Sequence, residues 1–447
     1  MFKKNILVVA MTLFASAWCV AAPGKGETVF HSGFGKYKFV ATTNCPDARA
    51  EVGDEVKIGV TVNSELPGAF TAELFVDGIS SGNPRIFEFG KVADFSVKTS
   101  APGLVSVRCA VLDADRKPLP VDRKRRPLGL GVLVSPERIV PGNPNCPADF
   151  DEFWAKKRAE LDAVPLRATR HEVRPGPAAA KKYPSVVCYD VKVDCAGGRP
   201  VSGYLCMPRG AKPKSLPAIV SYHVAGVRSS KMQINYGKTA IAFNVNAHGI
   251  ENGQPQKFYD DLRAGTLSGY AQRGFDDRNH IYFVGMYMRV MRALDYVKSL
   301  PEWDGRTLIV CGNSQGGAQT IAAAALDSQV TLAVAGVPAL CDLGGQLANH
   351  RPGWPLYSMP LAKQKDAAVI REAAYVDGVF LARRIKCPIH ISTGGIDRAC
   401  TATGVYAAFN SLPAKDKHIV YVPMGGHSTS KCRSGWDEIH KQLGIQK

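Results

Sequence analysis

The chain has 447 residues, 45% of them hydrophobic and 21% charged, a composition that is ordinary for globular protein and excludes a disordered chain. Its net charge of +17 favours acidic partners, but the densest basic run, residues 123–126, has no interleaved aromatic residues, so we expect no nucleic-acid partner. Uronic-acid polysaccharide or the anionic cell envelope fits the charge better, and a solvated basic linker would explain it without any partner.

Residues 1–22 have the pattern of a secretory signal peptide. Lys3 and Lys4 precede an apolar stretch at residues 6–17, and the small residues Ala21 and Ala22 follow. The apolar stretch is too short to span a bilayer comfortably, and no later run approaches the length of a membrane helix. We therefore expect a soluble protein that is secreted or periplasmic and does not insert into a membrane.

The cysteines suggest neither a metal site nor a defined disulfide framework. Removal of residues 1–22 would leave eleven of the twelve cysteines, an odd number for an oxidising compartment. No CxxC pair or clustered Cys/His spacing predicts zinc, so we expect no metal and no cofactor. A disulfide between Cys400 and Cys432 is one hypothesis, and chance proximity is the simpler one.

Residues 23–135 predict a β-sandwich domain. Short β-prone runs alternate with turn residues, as is typical of an antiparallel, immunoglobulin-like sandwich. The predicted strands are residues 56–62, 70–76, 85–89, 95–99, 104–112 and 128–134. No convergent set of titratable residues is evident there, so we interpret this domain as an accessory module that contributes packing, with sugar binding as the alternative.

Residues 136–447 predict an α/β domain. After a proline-rich connection, residues 149–161 form an amphipathic helix whose acidic residues come early and whose basic residues come late, which matches the helix dipole. A hairpin at residues 185–193 and 201–207 precedes apolar strands at 218–222, 239–245, 307–311, 332–337, 389–393 and 419–422; helices fall at 282–299, 318–326, 367–374 and 402–410. This alternation predicts a mostly parallel, doubly wound sheet with catalytic groups at the carboxyl ends of its strands.

Ser314 lies where a predicted strand meets a predicted helix, between Gly312 and Gly316. Such a sharp reversal brings two backbones together, and the glycines remove the side chains that would collide there. This pattern predicts a nucleophile elbow, with the backbone N–H of Gln315 directed at the group that the serine attacks. The alternative is a glycine-rich turn with an incidental serine. The predicted strand and helix on either side disfavour this alternative.

A serine nucleophile needs a histidine base and a carboxylate that orients it. His427 and Asp397 each lie in a glycine-containing loop just after a predicted strand, and the order Ser314, Asp397, His427 is that of α/β-hydrolases. Asp342 is the alternative acid. The loop after residues 218–222 could supply a second backbone N–H to an oxyanion hole, and Ala225 is the candidate.

Residues 145–447 resemble the acetyl xylan esterase and cephalosporin C deacetylase family of α/β-hydrolases. The motifs that carry the resemblance are D-F-D-E-F-W at 149–154, G-N-S-Q-G-G at 312–317, V-P-A-L-C-D at 337–342, Asp397 with residues 406–410, and G-G-H at 425–427. The resemblance implies a serine esterase that removes acetyl groups from xylan-derived sugars. Because family members often form hexamers, the resemblance also implies a homo-oligomer.

Three motifs beside the expected pocket depart from the family pattern. The family's R-G-Q-G is N-A-H-G at residues 246–249, its H-G-Y is H-V-A at 223–225, and its G-H-E is G-H-S at 426–428. A longer-chain esterase or a peptidase on the same fold is therefore the enzymatic alternative. The second alternative is a non-catalytic envelope or glycan-binding protein. The presence of Ser314, Asp397 and His427 together disfavours it.

Overall fold

The computed structural model describes residues 27–119 and 127–445. The predicted signal peptide at residues 1–22 and the basic run at 123–126 lie outside these ranges. Within them, no helix combines the length and the apolar character that crossing a membrane requires.

The N-terminal described residues form a sandwich of two antiparallel sheets. Its strands are β1 (Thr28–Phe34), β2 (Tyr37–Thr43), β3 (Arg49–Ala50), β4 (Glu55–Asn63), β5 (Ala69–Val76), β6 (Ile79–Ser80), β7 (Arg85–Glu88), β8 (Ala93–Lys98), β9 (Gly103–Val111) and β10 (Leu128–Val134). One sheet has the order β1-β2-β4-β8, and the other has the order β3-β10-β9-β5-β6 with β7 beside β5. Phe39 and Val62 of the first sheet and Phe70, Val107 and Leu130 of the second are fully buried between them. Among the described strands of the sandwich, the short β3–β10 pair is the one parallel pair.

The remaining described strands form the nine-stranded sheet of an α/β domain. These strands are β11 (Ala168–Val173), β12 (Val186–Val193), β13 (Val201–Pro208), β14 (Leu216–Tyr222), β15 (Ile241–Val245), β16 (Trp303–Asn313), β17 (Leu332–Gly336), β18 (Ile389–Gly394) and β19 (Lys417–Val422). Their order is β11-β12-β13-β15-β14-β16-β17-β18-β19. The first four are antiparallel neighbours, and the pairs from β15 to β19 are parallel. The prediction of a mostly parallel sheet is confirmed.

Helices cover the sheet and pack on its buried strands. They are α1 (Phe150–Asp162), α2 (Pro177–Lys182), α3 (Gln256–Ala264), α4 (Tyr282–Ser299), α5 (Gln315–Leu326), α6 (Leu361–Gln364), α7 (Ala367–Ala373), α8 (Gly378–Ala382), α9 (Ala402–Asn410) and α10 (Arg433–Gln442). The bounds predicted for α4 and α9 agree with the structure. The sequence did not predict β1, β2, β11, α3 and α10.

The sandwich packs directly on the loops that follow β18 and β19. The Gly131 N–H donates to the Pro423 carbonyl at 2.9 Å, and the Tyr421 hydroxyl donates to the Gly131 carbonyl at 2.8 Å. A second contact lies at Asp77, whose carboxylate accepts from the Thr403 hydroxyl at 3.1 Å. The backbones come so close that a Cβ on Gly131 would meet the backbone of Gly395. The two domains therefore share a tight, hydrogen-bonded interface.

Candidate active site

Ser314 lies at the junction of β16 and α5 in a strained conformation, with φ 56° and ψ −123°. A Cβ on Gly316 would collide with the Tyr222 carbonyl of β14, and one on Gly312 would collide with the backbone of Gly316. Only glycine fits these two positions, as the sequence pattern predicts. The helix begins at Gln315, three residues earlier than predicted, so its N-terminus lies directly beside the serine.

The structure brings Ser314, His427 and Asp397 into one hydrogen-bonded chain. His427 Nε2 lies 2.9 Å from Ser314 Oγ, and His427 Nδ1 lies 2.8 Å from Asp397 Oδ2. The other oxygen of Asp397 accepts the N–H groups of Ala399 at 2.8 Å and Cys400 at 3.0 Å. Asp397 is fully buried, so these bonds hold its carboxylate in one orientation towards the imidazole.

The environment of His427 favours the protonated imidazole. Burial by itself lowers the pKa of His427, but the hydrogen bond to Asp397 and the negative charge of that carboxylate outweigh it. The net result is a pKa raised above the ordinary histidine value. An imidazole of this kind accepts a proton from a serine more readily than an isolated one does.

Asp342, the alternative acid, has other partners. Its Oδ1 accepts the Gly142 N–H at 2.8 Å, and its Oδ2 lies 3.6 Å from His350 Nδ1. Its own N–H donates to Asp377 at 3.0 Å. The structure therefore places Asp342 in a buried network at the connection between the domains, and Asp397 against His427.

A tyrosine that the sequence analysis missed connects the Gln315 side chain to the loop that contains Ala225. The Tyr270 hydroxyl donates to the Gln315 side-chain Oε1 at 2.7 Å and accepts the Gly226 N–H at 3.3 Å. Among the described residues, the Ala225 N–H has no hydrogen-bond acceptor, and its carbonyl accepts from Arg228 at 2.8 Å. Nothing in the sequence near Tyr270 indicates this role, because its partners are 44 and 45 residues away.

Two histidines in the motifs that depart from the family pattern are structural groups, of which His248 is fully buried and His223 is partly buried. His223 Nε2 accepts the Ala247 N–H at 3.2 Å, so the proton of the neutral ring is on Nδ1, which donates to the Val224 carbonyl at 2.9 Å. His248 lies 2.8 Å from the Tyr282 hydroxyl, and burial, followed by the charge of His223, lowers the pKa of His248 to about 3. Their lowered pKa values keep both rings neutral at physiological pH, and within the described part of the chain neither ring is hydrogen-bonded to Ser314.

His427 also lines a cleft of about 440 Å³ between the two domains. On the α/β side the cleft wall includes Arg398, and on the sandwich side it includes Glu73, Phe75 and Arg108. Glu73 and Arg108 lie directly opposite each other on β5 and β9 of the sandwich, and Arg398 and His427 join them across the domain interface, a convergence that the sequence does not reveal. The sandwich, interpreted from the sequence as an accessory packing module with sugar binding as the alternative, thus contributes one wall of this cleft.

Asp397, Cys400 and His427 offer ligand atoms within 4.8 Å of one another, a spacing that could hold a metal ion. The carboxylate and imidazole atoms of this trio are already engaged with each other and with backbone N–H groups, so the donor set fits a catalytic acid–base pair better than a metal.

Cys400 and Cys432 are free thiols, as are the other nine cysteines of the described residues. The hypothesis of a Cys400–Cys432 disulfide is wrong in this structure.

Comparison with known proteins gives one consistent relationship. A family model described as acetyl xylan esterase (AXE1) matches residues 140–434. The chain is similar to acetyl esterase Axe7A of Xylanibacter ruminicola, with 32% identity over 307 residues that make up 67% of each protein. It also resembles the solved acetyl xylan esterase from Paenibacillus sp. R4, with 26% identity, a TM-score of 0.58, and coverage of 70% of this chain and 98% of that one. Acetyl xylan esterase 1 from Thermoanaerobacterium sp. JW/SL YS485 shares the fold, at 24% identity and a TM-score of 0.57, with the same coverage.

Proposed function

Since the chain belongs to the acetyl xylan esterase family, and is thus a carboxylic ester hydrolase, we propose that it is a secreted serine esterase that removes O-acetyl groups from xylan-derived or related acetylated carbohydrates. The observation that carries this proposal is the continuous hydrogen-bonded chain from Ser314 through His427 to Asp397. The proposed partner is an acetylated oligo- or polysaccharide.

In the proposed mechanism, Ser314 Oγ attacks the acetyl carbonyl while His427 Nε2 takes the hydroxyl proton. The N–H groups of Gln315 and Ala225 donate to the oxyanion of the tetrahedral intermediate. His427 then gives its proton to the leaving sugar oxygen, which leaves an acetyl-serine. A water molecule, deprotonated by His427, attacks this ester, and His427 returns the proton to Ser314 Oγ as the acyl–oxygen bond breaks and acetate leaves. Asp397 keeps the imidazole in the correct tautomer throughout.

The test compares Ser314→Ala and His427→Ala with the unmodified protein in acetate release from p-nitrophenyl acetate. We expect each variant to lower kcat by about 10⁴- to 10⁶-fold and the double variant to be scarcely worse, because nucleophile and base act as one unit. Ser411→Ala is the matched control, since the hydrogen bond of that hydroxyl within the described residues goes to the Ala407 carbonyl. Near-normal activity in either triad variant would contradict the assignment of Ser314 as nucleophile and His427 as base.

A fluorophosphonate label distinguishes an active serine esterase from a non-catalytic glycan-binding protein. We expect the label on Ser314 of the unmodified protein and its loss in His427→Ala, because the reagent reacts with a serine that a base activates. Acetate release from acetylated xylo-oligosaccharides, followed by mass spectrometry, then tests the proposed substrate class. An unlabelled Ser314 would favour the non-catalytic alternative.

A longer-chain esterase is the second candidate because Ala225 stands where the family pattern has tyrosine, which leaves more space beside the elbow. A methylene that fits a hydrophobic pocket improves transition-state binding by about 1 kcal/mol or more, whereas one that clashes is rejected. We expect kcat/KM to fall from acetyl to butyryl to octanoyl esters of p-nitrophenol. Rates that rise with chain length would assign the longer-chain activity instead.

Secretion is part of the proposal and is supported by the signal-peptide pattern of residues 1–22. N-terminal sequencing of the protein recovered from the periplasm or the medium tests it. The expected mature N-terminus lies after Ala22. An uncleaved protein that is retained in the cytoplasm would contradict this location.

A further inference from the structure

The cleft beside His427 belongs to the alcohol side of the ester. In acyl transfer the base that deprotonates the serine later protonates the leaving oxygen, so the leaving group must lie next to the imidazole. His427 lines the cleft between the sandwich and the α/β domain. Ser314 is not part of the cleft lining, so a leaving sugar next to the imidazole would border this space, whose second wall comes from the sandwich.

Two arginines line this space, and a third lies near it. Arg108 on β9 and Arg398, the neighbour of Asp397, both line the cleft. Arg351, whose N–H donates to the Asp77 carbonyl at the domain interface, lies close enough to lower the pKa of Arg108. The opposing acidic groups are few. Asp397 is hydrogen-bonded to His427, and Glu73, which lies directly opposite Arg108 on the neighbouring strand, accepts a hydrogen bond from the Ser80 hydroxyl at 2.6 Å; the charges of both carboxylates partly offset the lowering of the Arg108 pKa.

Arg108 has no hydrogen-bond acceptor for its guanidinium. All three of its nitrogens are shielded from solvent and lack a partner among the described residues, while the group lies 4.1 Å from the centre of the Phe75 ring. Burial, reinforced by the charges of Arg398 and Arg351, lowers the pKa of Arg108 to about 10, so it remains protonated at neutral pH. A buried cation without acceptors is costly, and a carboxylate would offer two oxygens that match the guanidinium fork.

We propose that this cleft binds the carboxylate of an acidic sugar, a uronic acid, attached to the same oligosaccharide as the acetyl ester, with Arg108 as the principal contact and Arg398 and Arg351 as supporting charges. This inference rests on the proposed esterase function and narrows its substrate class to acidic acetylated oligosaccharides. It also assigns the sandwich a role in specificity.

The test is a comparison of kcat/KM on two acetylated xylo-oligosaccharides of equal length, one bearing a glucuronic-acid branch and one neutral. We expect the unmodified protein to prefer the acidic substrate about tenfold or more, which corresponds to about 1.4 kcal/mol. Arg108→Gln should bring the ratio close to unity, mainly through KM. Arg116→Gln is the matched control, because it removes one positive charge from an exposed position of the same domain and should keep the ratio.

Two further measurements keep the test decisive if Arg108→Gln folds poorly. Arg398→Gln, at an exposed position of the cleft, should also reduce the ratio. In the unmodified protein, a deacetylated acidic oligosaccharide should inhibit p-nitrophenyl acetate hydrolysis more strongly than its neutral counterpart and more strongly than inorganic phosphate. Equal inhibition by phosphate, or an unmodified protein that hydrolyses both oligosaccharides equally well, would overturn the inference and leave the esterase proposal intact. An unmodified protein that hydrolyses neither p-nitrophenyl acetate nor either oligosaccharide would instead refute the esterase proposal itself.

Discussion

Asp342 and Asp397 both follow strands of the same parallel sheet, yet only Asp397 contacts the histidine base. We expect Asp397→Asn to lower kcat by about 10⁴-fold, because an amide at this position favours the wrong imidazole tautomer. Asp342→Asn should change kcat far less, since Asp342 contacts Gly142 and His350. Parallel assays on p-nitrophenyl acetate give the ranking, and the reverse order would transfer the acid role to Asp342.

The raised pKa of His427 predicts the pH dependence of the reaction. The imidazole must be neutral to accept the serine proton, so kcat/KM should fall as pH decreases through its pKa. Because Asp397 raises that pKa, the acid limb should lie above the ordinary histidine value of about 6.5. In Asp397→Asn the residual activity should have its acid limb at lower pH. A pH series on both proteins checks the shift, and identical limbs would contradict it.

The catalytic residues could be predicted because each has a local signal. Ser314 lies between glycines, and Asp397 and His427 each follow an apolar strand in a glycine-containing loop. Tyr270 and Arg108 have no comparable signal, since a tyrosine or an arginine in a loop or on a strand is common and its role depends on groups brought near it by folding. Chain order alone could not decide between Asp342 and Asp397, whereas the hydrogen bonds to His427 do.

At the scale of elements, the Tyr270 hydroxyl connects the loop after β14 to the start of α5. We expect Tyr270→Phe to lower kcat by about tenfold or more while KM changes little. Gln315 and the Gly226 loop would lose the hydroxyl that both contact, and the oxyanion donors would therefore lose their alignment. Tyr236→Phe is the control, since that ring packs against His440. Unchanged kcat in Tyr270→Phe, with an unchanged melting temperature, would show that the bridge has no role in catalysis.

The burial of an element explains whether it could be predicted from the sequence. The strands β14 to β18 are apolar runs, and α4 has a long buried face, so both stand out in the sequence. Strand β11 is exposed along almost its whole length, and α10 contains Ser434 and Gly435 in its first turn with few buried residues. Edge elements of this kind are stabilised by tertiary pairing and have little periodicity of their own.

At the scale of the whole molecule, the interface predicts that the two domains unfold together. Gly131→Val should destabilise the protein by about 1–3 kcal/mol and reduce activity, because the new side chain would press on the backbone of Gly395 just before Asp397. Gly176→Val is the matched control, since no atom lies within 4 Å of its Cβ position. Calorimetry and denaturant unfolding measure the effect. A second, separate transition in the unmodified protein would contradict cooperative unfolding.

The relation between the domains could not be predicted from the sequence. The sandwich and the α/β sheet each have local patterns, but the cleft joins Arg108 to Arg398 across almost 300 residues of chain, and nothing in either segment specifies the other. Such contacts depend on how two complementary surfaces dock, which residue periodicity does not encode.

The close approach of Gly131 to Gly395 has a consequence for how new specificities could arise or be engineered. Part of the cleft wall is contributed by a module whose strands end before the catalytic domain begins. Recombination that exchanged this module, or a designed chimera, would alter the charge facing the substrate while leaving Ser314, His427 and Asp397 untouched. The requirement would be strict, because any replacement strand must present glycine at the position of Gly131 and a backbone N–H to Pro423.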